Sequence, residues 1–135
     1  SWDDFLIDAL RVRPHVGFAV PKTFDVPGIQ GDLQNVDPSH FDVERGFLAF
    51  SRSISTVHTA RGTTLTTFSS FCVAFEQAIL SEALARVGPV FDSIEPLLRA
   101  TLAGGAFAWC AFDSVVQHGG SAALSIVDLR AAAHA

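Results

Sequence analysis

The chain has 135 residues, enough for one domain with a real core. Nine lysines and arginines against fourteen acids give a formal charge of -5, which removes the basic footprint that nucleic-acid binding requires. Apolar residues make up 49% and charged residues 17%, the latter below the usual quarter, so either an exposed apolar face or an alanine-rich helical core is expected.

Residues 2–12 place Trp2, Phe5, Leu6, Ala9 and Leu10 on one helical face. Acids fill the first turn, Arg11 and Arg13 stand at the end, and Pro14 stops the helix. Pro14, Pro21, Pro27 and Pro38, with Gly17, Gly28 and Gly31, predict a long irregular connection that has room for short extended pieces such as Val16–Val20. From Ser39 onward, Val43, Phe47, Phe50 and Ile54 form a single helical stripe, with Asp37 or Ser39 available as a cap. After a break near Thr56–Gly62, the residues Leu65, Phe68, Cys72, Phe75 and Ile79 repeat at three- and four-residue steps, and Leu80, Leu84 and Val87 extend that face. This spacing predicts the clearest helix of the chain, although its threonine- and serine-rich first turns depend on packing rather than propensity.

A further amphipathic stretch carries Phe91, Ile94, Leu97, Leu98 and Leu102, with Pro96 tolerable only near its start or at a kink. Gly104-Gly105 then opens an almost wholly apolar segment, Ala106–Val116. A helix apolar on all sides must be surrounded by helices or lipid, and Arg99 and Asp113 stand too close together for a bilayer span. The segment is therefore predicted as a helix buried at the centre of a bundle. Gly119-Gly120 breaks the chain again, and Ser121 caps a last helix through Leu124, Val127 and Leu129. The expected fold is a single all-α domain over residues 1–135, six or seven helices with a hydrophobic central one and a long loop after the first.

Nothing in the sequence selects a catalytic centre. Of the five histidines, His15, His40, His58, His118 and His134, only His40 has a partner at helical ligand spacing, Glu44, and no metal site is expected. Cys72 and Cys110 lie in apolar surroundings and read as small buried hydrophobes, with no disulfide framework. No nucleophile elbow, phosphate loop or dinucleotide fingerprint occurs. Asp3-Asp4 reads as a favourable charge pair at a helix start, and Glu76, Glu82, Asp92 and Glu95 as polar-face residues. The residues Ser1–Asp4 lack the basic-then-apolar pattern of a secretory signal, so a cytoplasmic protein with no cofactor and no integral membrane segment is expected.

The stretch Leu97–Phe112, LLRATLAGGAFAWCAF, resembles the first homology region of the Bcl-2 family of apoptosis regulators, especially its divergent viral members. The apolar pair is Leu97-Leu98, the arginine Arg99, the turn Ala100–Ala103, the glycine Gly104 and the apolar run Ala106–Phe112. Gly105 departs from the pattern, standing where the family usually has the arginine that pairs with an aspartate of the bound helix. The opening helix with its long loop is similar to the family's first helix and variable loop, and Phe47–Gly62 to the region crossing from its second helix toward its fourth. In a competing register, Val115–Gly120 resembles the second homology region without its two usual tryptophans.

The resemblance implies a Bcl-2-like bundle that inhibits apoptosis. It would sequester pro-apoptotic family members by taking their amphipathic helix into a hydrophobic groove, in the host cytosol or at the mitochondrial surface. The implied groove residues are Phe68, Phe71, Phe75, Ile94, Leu98, Gly104 and Gly105, with Arg86 or Arg99 to meet the partner's acid and a homodimer as a further expectation. For each phenylalanine the competing reading is ordinary core packing. Two other classes stay open: a structural or scaffold helical-bundle subunit, and a small helical ligand carrier or enzyme, which needs a pocket with convergent polar groups.

Overall fold

A computed structural model describes residues 2–14, 16–24, 26–33, 45–87, 107–117 and 126–128. In chain order these form α1 (Trp2–Val12), β1 (Val16–Lys22), a single 3-10 turn (Ile29–Gly31), α2 (Arg45–Val57), β2 (Gly62–Leu65), β3 (Thr67–Ser69), β4 (Ala74–Phe75), α3 (Gln77–Val87), β5 (Phe107–Val115) and β6 (Ile126–Asp128). The fold is mixed α/β, which corrects the expected all-α, Bcl-2-like bundle.

The correction turns on β5, the segment predicted as the central helix. A run that is apolar on every side suits either a buried helix or a strand covered on both faces, and periodicity does not separate the two. Here it is an inner strand of a four-stranded sheet of order β2-β5-β1-β4, parallel to β1 and antiparallel to β2. β4 adds antiparallel to β1 at Phe18 and Ala19 only, so Pro21, which has no N–H to give, lies beyond that pairing. A second, two-stranded sheet pairs β3 with β6, with Phe68 opposite Val127.

The helix predicted from Leu65 onward is also corrected. Leu65 ends β2, Phe68 lies on β3 and Phe75 on β4, and the helix α3 begins only at Gln77. Thr63, Thr64, Thr66 and Thr67 are β-branched and suit a pleated surface better than a helical turn. A bend at Thr66 carries the chain from one sheet into the other. The described part of the last predicted helix, Ile126–Asp128, is the strand β6. α1 coincides with the first predicted helix, α2 carries the stripe Phe47, Phe50 and Ile54, and β1 occupies the extended piece allowed inside the long connection. The amphipathic stretch from Phe91 to Leu102 lies outside the described residues.

Alternation along the strands builds two cores. On one face Phe18, Val20, Ala108, Cys110 and Leu65 pack with Phe68 and Val127 of the second sheet. On the other, Ala19 and Ala111 receive Leu6, Ala9 and Leu10 of α1, and the small alanines let the helix lie close. A third cluster seats Ile54 of α2 on Phe24, Leu33 and Val115. The buried Gln30 ties the sheets together: its amide donates to the Pro21 carbonyl at 3.1 Å and accepts from the Ser69 N–H at 2.7 Å.

Candidate functional site

Both α1 and α2 pack against β5. Between them the molecule leaves two cavities. The larger, about 580 Å³, is lined by Trp2 and Phe5 of α1, by Phe47, Leu48, Ser51, Arg52, Ser55 and Thr56 of α2, and by Val115. The smaller, about 290 Å³, is lined by Phe5, Asp8, Ala9, Val12 and Arg13, by Thr59, Ala60 and Arg61 after α2, and by Trp109, Ala111 and Asp113. Phe5 borders both, and β5 supplies every second residue from Trp109 to Val115 to their floors. The two cavities share Phe5 and lie over one face of the strand.

The larger end is apolar. Trp2 is 45% and Leu48 55% exposed, an unusual placement for large hydrophobic side chains that face the same cavity. The Thr56 hydroxyl donates to the Arg52 carbonyl one turn earlier in α2 at 2.9 Å, and the single Ser55 hydroxyl proton is within reach of both the Ser51 carbonyl at 2.9 Å and the Asp113 carbonyl at 2.7 Å; Arg52 is the ionic group of that end.

The smaller end concentrates the charges. The Arg13 guanidinium lies 4.1 Å over the Trp109 ring, and its Nη2 donates to the Ala60 carbonyl at 2.8 Å. The Ala60 N–H in turn donates to Asp113 Oδ2 at 2.8 Å. Ala60 is thus held on both sides in a left-handed conformation, φ 60°, which costs an alanine roughly 1 kcal/mol. Strain of this kind, in the lip of a cleft and fixed by residues that line it, is characteristic of functional sites. Gly62 adjoins the same turn, and a Cβ there would run into the Cys110 carbonyl and the Trp109 indole, so the glycine makes room for the ring.

Asp113 is 6% exposed. Its backbone carbonyl accepts from Ser55 Oγ at 2.7 Å, which fastens α2 to β5. Among the described residues its second carboxylate oxygen takes no hydrogen bond and neither Arg13 nor Arg61 forms an ion pair with it.

A third cavity of about 160 Å³ lies beside Lys22, Asp32, Leu33, Ile54, His58 and Phe112. Lys22 donates to the Asp32 carbonyl and sits 4.5 Å over the Phe112 ring, against which His58 stands edge-on. Its polar groups already have partners within the fold.

The cysteines are unlinked and read as packing groups. Burial pushes the Cys110 thiol up to about 12, only partly offset by the charge of Lys22, and burial also raises Cys72. Neither presents the thiolate that nucleophilic chemistry needs. Among the described residues no three His, Cys, Asp or Glu side chains gather to hold a metal ion, and no helix is long and apolar enough to cross a membrane.

Of the groove residues implied by the resemblance, the structure describes Phe68, Phe71 and Phe75. Phe68 is fully buried in the core between the sheets, and Phe75 packs against that core, edge-on to Phe18 with ring centroids 6.4 Å apart. Phe71 is half-buried in the turn after β3. Arg86 belongs to α3, its side chain outside the described residues, as are Ile94, Leu98, Arg99, Gly104 and Gly105. The cleft residues Phe5, Asp8, Arg13, Arg61, Trp109 and Asp113 were not singled out by sequence reasoning as a site. One signal pointed to them: Asp113 is the lone charge in the run Phe107–Val115.

Compared with known proteins, the chain matches no family model, no curated protein and no solved structure. Fold and site therefore define the class on their own terms, a small mixed α/β domain with an open cleft on one face of its sheet.

Proposed function

We propose that this chain binds a small amphipathic molecule in the cleft along β5, with the apolar body toward Trp2, Phe47 and Leu48 and the polar end among Arg13, Arg61, Asp8 and Asp113. The observation that carries the reading is the pair of cavities that share Phe5: one largely apolar and within the volume range of small-molecule sites, the other with a few placed polar groups. Binding rather than catalysis is proposed because the hydroxyls of Ser55, Thr56 and Thr59 are engaged by backbone carbonyls of α2 and β5. Among the described residues no nucleophile and base stand together in the cleft.

This reading belongs with the small-ligand carrier that the sequence left open. The helix-sequestering reading was drawn with an all-α bundle whose central helix ran over Ala106–Val116, and Phe107–Val115 of that segment is β5.

The test uses the chain's two tryptophans, one at each end of the cleft. Phenyl-bearing amphiphiles of positive, negative and zero charge are titrated against intrinsic fluorescence, alongside Trp2→Phe and Trp109→Phe variants and a panel of pro-apoptotic helix peptides. Saturable change with a small amphiphile, reported by both tryptophans, supports the proposal. Saturation by the helix peptides alone, or by nothing, removes it.

A further inference from the structure

We infer that the ligand of these cavities is an organic acid, bound as its anion with the acidic group on Arg52 at the rim of the larger cavity. The inference rests on the ligand-binding reading above and adds the charge that reading leaves open.

Two rows of α2 line the larger cavity. Phe47, Ser51 and Ser55 stand one turn apart on the first, and Leu48, Arg52 and Thr56 on the second. The hydroxyls of Ser55 and Thr56 are engaged by backbone carbonyls of α2 and β5. One turn earlier the pattern changes: among the described residues neither the Ser51 hydroxyl nor the Arg52 guanidinium has a hydrogen-bond or ionic partner. From α1, Trp2 brings an indole N–H, a donor without acceptor capacity, and among the described residues it too has no partner.

The lining thus offers donors on both helices, one of them permanently charged, and no carboxylate. Asp3 and Asp4 follow Trp2 in α1, and neither lines the cavity. In the smaller cavity Arg13 and Arg61 stand against Asp8 and Asp113, so the charges balance there and that end suits a neutral polar group. The sign of the ligand is therefore set by Arg52, against a formal charge of -5 for the whole chain.

A carboxylate answers this donor set. It accepts from several N–H and O–H groups at once, and its charge-assisted bond to a guanidinium is roughly twice as strong as a neutral one. An ammonium would bring further donors and a like charge to Arg52, and an alcohol would accept without the charge. The cavity of about 580 Å³ has room for an aromatic body against Trp2, Phe5 and Phe47. Arg52 is exposed, so its attraction is open to screening by salt.

The experiment titrates the full chain, carrying Trp109→Phe so that Trp2 alone reports, with phenylpropionate, phenylpropanol and phenylpropylamine at neutral pH. The same series is run on Arg52→Gln, which exchanges one good helix former for another at an exposed position. The carboxylate is expected to saturate at about tenfold lower concentration than the alcohol, with no saturation by the amine, and Arg52→Gln to lose about tenfold for the carboxylate while leaving the alcohol unchanged. Equal affinities, preference for the amine, or unchanged carboxylate binding in Arg52→Gln overturn the inference while leaving the cavities as a ligand site. Silence of all three probes overturns both. In the parent protein, with both tryptophans in place, added salt must weaken the carboxylate and spare the alcohol, and a salt-independent carboxylate affinity also overturns the inference.

Discussion

The two faces of β5 have opposite fates. On one, Ala108 and Cys110 vanish beneath the second sheet, locked against Phe18, Val20 and Phe68. On the other, Trp109, Ala111, Asp113 and Val115 lie beneath two helices that leave a cleft between them. The same strand thus serves as core on one side and as the floor of two cavities on the other. The comparison teaches that the second sheet buries Ala108 and Cys110 fully, whereas the two helices on the other face leave cavities over Trp109, Ala111, Asp113 and Val115.

The largest expected effect falls on the sealed face. Phe68→Ala should lose about 3–5 kcal/mol in chemical denaturation, because a fully buried ring leaves a cavity that the paired sheets cannot collapse. A loss below about 1 kcal/mol would mean that this face is not the closed one.

Gly62→Val addresses the boundary between the faces. The added side chain meets the Cys110 carbonyl and the Trp109 indole, so a loss of about 1–3 kcal/mol is expected, together with a shifted Trp109 emission spectrum. Unchanged emission would show that the indole does not lie over Gly62.

On the open face, Asp113→Ala should cost about 1–2 kcal/mol in a thermal melt by leaving the Ala60 N–H without its acceptor, whereas Asp113→Asn should stay near the parent. The order Asn above Ala is the sharp part of the expectation; the reverse order would contradict the hydrogen bond.

The smallest effect at neutral pH concerns Cys110. Its thiol is raised from 9.0 to about 12 in the folded chain, so the folded state keeps its proton where the unfolded state loses it. The associated stability is complete below pH 9.0 and declines as pH rises toward about 12. Cys110→Ala should flatten the part of the alkaline denaturation curve that this thiol contributes, and an identical curve would place the thiol in water.

The helices were legible in the sequence to the extent that they are amphipathic. α1 declares itself through the stripe Leu6, Ala9 and Leu10 with acids at its start, and α2 through Phe47, Phe50 and Ile54. The sheet was hidden because its central strand is buried on both faces and therefore carries no alternation, and because β1 and β5, its parallel neighbours, are far apart in the chain. The three- and four-residue spacing of Leu65, Phe68, Cys72 and Phe75 imitated a helix across segments that pack in different places. Arg13 read as an ordinary charge at a helix end, since its stacking on Trp109 is a tertiary fact. Asp113, by contrast, was visible as a charge in an apolar run, and its meaning changes with the element: an end-point for a helix, a buried acceptor on a strand.

The most direct test of the central claim is nitrogen-edited NMR of the labelled chain during titration with phenyl-bearing amphiphiles of positive, negative and zero charge. The account predicts that the Trp109 indole N–H and the amides of Ala60, Arg61 and Asp113 shift together and saturate at a common concentration, while Phe68 and Val127 on the sealed face stay in place. Shifts centred on the sealed face, or none at Trp109 and Asp113, would contradict it.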